Sequence, residues 1–142
     1  MSEATYSRLQ IGLHWLVAMM IVLLWLIEDE AVHVPLGLAM FAALAVRVLV
    51  RLVRGVPGPA DVTSPAMARV ARWGHLALYA LMFLAAGLGV VYWLDGGDAM
   101  EDAHELASNA LMLVALGHAA AAIWHQAVLR DGTMARMRLR PR

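Results

Sequence analysis

Four long apolar runs, separated by short polar breaks, dominate the chain. Leu9–Ile27 is 19 residues without a formal charge, Trp73–Leu94 is 22 and Leu106–Leu129 is 24. Each is long enough to cross about 30 Å of hydrocarbon as an α-helix. The remaining run, Ala31–Val46, has 16 residues. It reaches spanning length once Arg47, Arg51 and Arg54 extend their charged heads to the headgroup layer. The pattern predicts an all-α fold: an up-down bundle of four transmembrane helices over approximately residues 9–28, 32–54, 66–94 and 101–129, forming a single membrane-embedded domain across 1–142.

The breaks fit that reading. Glu28–Val32 is so short that the first two helices must be antiparallel neighbours, and Pro35 suits the first turn of the second helix, where a missing N–H costs nothing. Gly55-Val56-Pro57-Gly58-Pro59 ends the second helix, and the loop runs on through Ser64-Pro65. Asp95-Gly96-Gly97-Asp98 turns the chain again, and the fourth helix stops before Asp131-Gly132. The first span is longer than a signal-peptide core, ends in Glu28-Asp29-Glu30 and lacks an A-x-A-like cleavage site, so it is expected to persist as a helix of the bundle.

Net charge is zero, but its layout is one-sided. All eleven basic residues are Arg; they lie at Arg8, between Arg47 and Arg72, and from Arg130 onward. The other two connections carry Glu28, Asp29, Glu30, Asp95, Asp98, Glu101, Asp102 and Glu105 and nothing basic. The positive-inside rule then places both termini and the second loop in the cytoplasm. With no cysteine, iron–sulfur clusters, thiolate ligation, disulfides and thioether-linked haem are excluded. No nucleic-acid signature, phosphate loop or Ser/His/Asp arrangement appears.

The six histidines then change the picture, because imidazoles inside a bilayer are costly and mark function by default. His33 begins the second helix and His104 lies in the first turn of the fourth, both at the outer edge. His14 lies about 20 Å further in and His118 about 21 Å, at 1.5 Å per residue. On one helix, fourteen residues return to within about 40° of the starting face, so His104 and His118 look into the same side of the bundle. Gly117 and Ala119–Ala122 leave room beside His118. Two imidazoles at each of two depths can hold a metal macrocycle from both sides, as haem b in a chain without cysteine. Six-coordinate iron has no position for oxygen, which favours electron transfer. His75 and His125 fall deeper still, near the inner boundary.

Tyr6-Ser7-Arg8-Leu9-Gln10-Ile11-Gly12-Leu13-His14-Trp15-Leu16 resembles the opening of the bacterial cytochrome b561 family of small dihaem, quinone-linked membrane cytochromes. The Arg47…Arg51 helix end, Gly74-His75-Leu76, His104-Glu105, His118 to His125 and Leu129-Arg130-Asp131-Gly132…Met137 are similar to it too. The resemblance spans nearly the whole chain and extends to cytochrome b subunits of hydrogenases and formate dehydrogenases. It implies two haems b as cofactors, an inner one on His14 and His118 and an outer one on His33 and His104, and exchange of electrons with ubiquinone. One family member is a superoxide oxidase, passing electrons from periplasmic superoxide to quinone. The outer connections here are short and acidic, and a negative face repels an anion, so a cationic or protein donor suits it better than superoxide.

Outside those pairs, His75 and His125 are candidate quinone contacts or proton relays, and either can stand in for His118 opposite His14. Arg47, the deepest cation, is the candidate partner of a haem propionate. Trp15, Trp73, Trp93 and Trp124 fit an aromatic belt, the ten methionines read as packing, and Ser108 and Asn109 are expected to bond locally. Two further readings remain open: a haem-bearing anchor that relays electrons for a separate oxidoreductase, and a haem-free bundle whose histidines bind a transition metal or one another.

Overall fold

The computed structural model describes residues 6–57 and 64–138. Four helices follow one another: α1 (Arg8–Leu26), α2 (Glu30–Arg54), α3 (Pro65–Asp95) and α4 (Asp98–Trp124). A π turn, His125–Leu129, continues α4, and a 3-10 turn, Met134–Met137, follows it. All four helices are long and apolar enough to cross a membrane. The expected segments are therefore present, with ends shifted by at most three residues when the π turn is counted with α4. The Gly58-Pro59 part of the second loop and the tail beyond Arg138 lie outside the described residues.

Local chemistry sets the helix ends. Ser7 and Gln10 form a reciprocal capping box at the start of α1. Ser64 Oγ accepts from the Met67 N–H, and Pro65 occupies the first position of α3. The α3–α4 turn needs positive φ at both Gly96 (68°) and Gly97 (104°), which glycine alone adopts without strain. The second helix starts earlier than expected. Asp29 takes the cap position, and its carbonyl accepts from Val32 and His33 at 3.0 and 2.7 Å. His33 is thus the fourth residue of α2 rather than its first, and Pro35 falls in the second turn instead of the first.

Short turns pair α1 with α2 and α3 with α4, and each hairpin packs far more closely within itself than against the other. A thin core joins them: Val17, Leu44, Met82, Ala85, Ala107 and Leu111, with one or two residues from each helix. Phe41 and Phe83 meet edge to face across α2 and α3. Most other apolar side chains point outward; Leu52 and Val53 are 76% and 77% exposed. No charged or polar residue is buried among the described residues. An aliphatic outside around so small a core is the arrangement that hydrocarbon solvates.

Candidate functional site

The histidines gather on the loose seam between the two hairpins. At the end that carries the acidic connections, His33 of α2 faces His104 of α4, with ring centres 6.0 Å apart and planes at 84°. At the arginine-bearing end, His14 of α1 faces His118 of α4 at 6.3 Å and 67°. Leu111 of the core lies seven residues from both His104 and His118, so an apolar layer separates the two levels. An ion about 2 Å from a nitrogen of each of two opposed imidazoles sets ring centres about 6 Å apart. Both pairs have that spacing.

Backbone carbonyls orient the pair at the acidic end. His33 Nδ1 donates to the Ile27 carbonyl at 2.8 Å, an oxygen left over at the end of α1. His104 Nδ1 donates to the Ala85 carbonyl at 2.8 Å. A carbonyl only accepts, so Nδ1 carries the hydrogen in both rings and Nε2 keeps its lone pair, the metal-binding form. Gly89 makes this geometry feasible. A Cβ there would stand 2.9 Å from His104 Cε1 and 3.1 Å from Nδ1. The Gly87-Leu88-Gly89 stretch is the small-residue signal that could have disclosed this cradle in the sequence.

The other level is more crowded than residue counting implied. His75 does not lie deeper than His118; the two ring centres are 5.0 Å apart. Counting from the helix end misplaces it because α3 has 31 residues, about 46 Å of helix, longer than the hydrocarbon is thick. His75 Nδ1 donates to the Ala71 carbonyl at 2.7 Å. At 5.0 Å, the His75–His118 pair is too close for one ion between opposed rings. Arg47 sits beside His14. It donates from Nη2 to His14 Nδ1 (3.1 Å), from Nε to the Tyr79 hydroxyl (3.2 Å) and from Nη1 to the Gln10 carbonyl (3.4 Å). Tyr79, one turn beyond His75, also carries the Arg51 guanidinium over its ring at 5.7 Å. An open cleft of about 390 Å³ lies on the α2–α3 side, lined by Arg51, Arg72, Trp73, His75, Leu76 and Tyr79.

His125 stands apart from these rings. Its Nδ1 donates to Asp131, whose other oxygen accepts from the Thr133 N–H. Burial works to raise the Asp131 pKa, but hydrogen bonds from His125 and Thr133 outweigh it and hold the carboxyl at about 2. The following 3-10 turn folds back under α1, where Trp15 Nε1 donates to the Met137 carbonyl at 3.0 Å. Trp73, Trp93 and Trp124 are exposed, as a belt requires. Asn109 departs from the expected local bonding: its Oδ1 accepts from Trp25 Nε1 at 3.1 Å across α4 and α1. Tyr79, Gly89 and Asp131 were not among the sequence candidates. Among the described residues, no group of three or more His, Asp or Glu can hold a metal ion together.

Four apolar helices with two levels of facing imidazoles are the arrangement that a membrane cytochrome b needs. The model of the prokaryotic cytochrome b561 family matches residues 5–139, and the chain belongs to that family. It is 36% identical to cytochrome b562 of Cereibacter sphaeroides, over 99% of this chain and 98% of that protein. It is 28% identical to a probable superoxide oxidase, CybB, of Yersinia pestis, over 93% of this chain and 94% of that one. It is also 28% identical to cytochrome b561 homolog 2 of Escherichia coli, over 93% and 81%. It is thus a multi-pass bacterial membrane protein, and its family implies haem b. The donor set fits that group: paired imidazoles about 6 Å apart, two with Nδ1 tied to carbonyls, and a cradle at Gly89 that a Cβ would fill.

Proposed function

We propose that the chain carries electrons across the bacterial inner membrane through one haem b at each histidine pair, between a periplasmic donor and the quinone pool. The observation that carries this is the repetition of a 6 Å imidazole pair at two levels of one seam. His33 and His104 would be the axial ligands of the outer haem, and His14 and His118 those of the inner one. Bound between two imidazoles, haem b supplies reversible one-electron iron chemistry and no open position for oxygen.

The chain's own groups support the remaining assignments. Arg47 donates to His14 Nδ1, which puts the hydrogen of that ring on Nε2. A metal held at Nε2 would require that hydrogen on Nδ1 instead, which would free the Arg47 guanidinium for a propionate. Quinone, ubiquinone in our reading, would exchange electrons at the inner end. His75, whose ring centre lies 5.0 Å from that of His118, and His125, steadied by Asp131, are the proton-exchanging contacts. The arginine layout supports a topology with both termini in the cytoplasm, and a core drawn from all four helices supports a single domain.

A second reading is favoured by one observation. The outer rim holds eight carboxylates and no basic residue, a surface suited to a cationic protein partner. The chain would then relay electrons for a separate oxidoreductase. The superoxide oxidase activity in the name of the Yersinia relative requires an anion to approach that same rim, so we rank superoxide below a protein donor.

Haem stoichiometry tests the ligand assignment. The purified chain should give a reduced-minus-oxidised b-type spectrum and about two haems per chain. His118→Ala should lose the inner haem, and His33→Ala or His104→Ala the outer one. Retention of both haems by His118→Ala would refute the inner pair.

A further inference from the structure

The cleft on the α2–α3 seam carries more positive charge than a neutral quinone needs. Arg51 contributes from α2 and Arg72 from α3. The ion pair found among the described residues joins His125 to Asp131, so no described carboxylate answers Arg51 or Arg72. Like charges held beside hydrocarbon repel one another, and an anion set between them relieves that repulsion.

The chemistry of the lining selects the anion. Two guanidinium forks suit phosphate oxygens. The Tyr79 oxygen accepts from Arg47, which leaves its own hydrogen to donate. Trp73 and Leu76 form apolar walls, 66% and 54% exposed, between two spanning helices. A cationic rim above apolar walls matches an amphiphile, whereas inorganic phosphate would use the rim alone. Basic pockets between helices on the cytoplasmic side are where anionic headgroups bind.

We infer that this cleft binds an anionic phospholipid, with Arg51 and Arg72 gripping the phosphate, Tyr79 as a third donor and the acyl chains along Trp73 and Leu76. An ethanolamine headgroup brings an ammonium to the same rim and is disfavoured. That the lipid belongs to the inner leaflet rests on the topology proposed above; the phosphate contact does not.

Native mass spectrometry of the haem-loaded chain, delipidated in mild detergent and then given phosphatidylglycerol, phosphatidylcholine or inorganic phosphate, tests this. Wild type should retain one phosphatidylglycerol at least about tenfold more strongly than phosphatidylcholine, and millimolar phosphate should not displace it. Arg51→Gln/Arg72→Gln should abolish that preference, while Arg69→Gln, an exposed arginine on the same helix, should keep it. If the double variant does not fold, Tyr79→Phe and Arg51→Lys/Arg72→Lys should each weaken retention by several-fold. Equal retention of both lipids, or retention unchanged in these variants, overturns the site. Displacement by phosphate reassigns it to a free anion and overturns the lipid. The readout contains no quinone, so its failure leaves the electron-transfer reading untouched.

Discussion

Gly89 is the residue on which the His33–His104 pair turns. The His104 ring lies so close to the α3 backbone that one methyl group would meet it at 2.9 Å. Core sites rarely absorb such an insertion without displacing the ring. Gly89→Ala should therefore cut haem content by about half while helix content, read by circular dichroism, stays unchanged. Full haem content in that variant would mean that His104 is not a ligand. Asp131 is the second telling residue. Its folded pKa of about 2 lies below the ordinary 3.8, so its stabilisation is fully present above pH 3.8 and is lost as pH falls through 2. Asp131→Asn should loosen the turn that ends at Met137. We expect cleavage at Arg136 by trypsin at neutral pH to rise by about tenfold, with the helical core intact.

At the scale of elements, α4 does the most. It contributes to both histidine pairs, to the core through Ala107 and Leu111, and to α1 through Asn109. The Trp25–Asn109 bond crosses the seam where few other contacts do. Interhelical hydrogen bonds in membrane proteins contribute about 0.6–2 kcal/mol. A double-mutant cycle of Trp25→Phe and Asn109→Ala, followed by unfolding in denaturing detergent, should return a coupling in that range; strict additivity would show the bond to be idle. The four helices and both pairs were legible because span length, hydropathy and a fourteen-residue interval are one-dimensional properties. The level of His75 was not, because it depends on how far α3 overruns the bilayer, which no count from its own end contains. The partners of Asn109 and Gly89 depend on which helices touch, and sequence spacing within one helix is silent on that.

Over the whole molecule, charge is sorted by end. Eight carboxylates lie at the end of the bundle that carries the α1–α2 and α3–α4 turns, and the arginines lie at the other end. Long-range fields of this kind govern encounter rates and are screened by salt. Between about 10 and 150 mM salt the Debye length falls from about 30 to about 8 Å. Stopped-flow reduction by a basic donor protein should slow several-fold over that range, whereas reduction by superoxide, which the rim repels, should quicken. The opposite trend for either donor would contradict an acidic docking face. Finally, each proposed iron site draws one imidazole from each hairpin, α1 or α2 on one side and α4 on the other. Neither half of the chain owns a complete site. Cofactor capture must therefore wait until the ribosome has delivered the second hairpin and it has docked, which makes haem insertion a late checkpoint in biogenesis rather than a seed for folding.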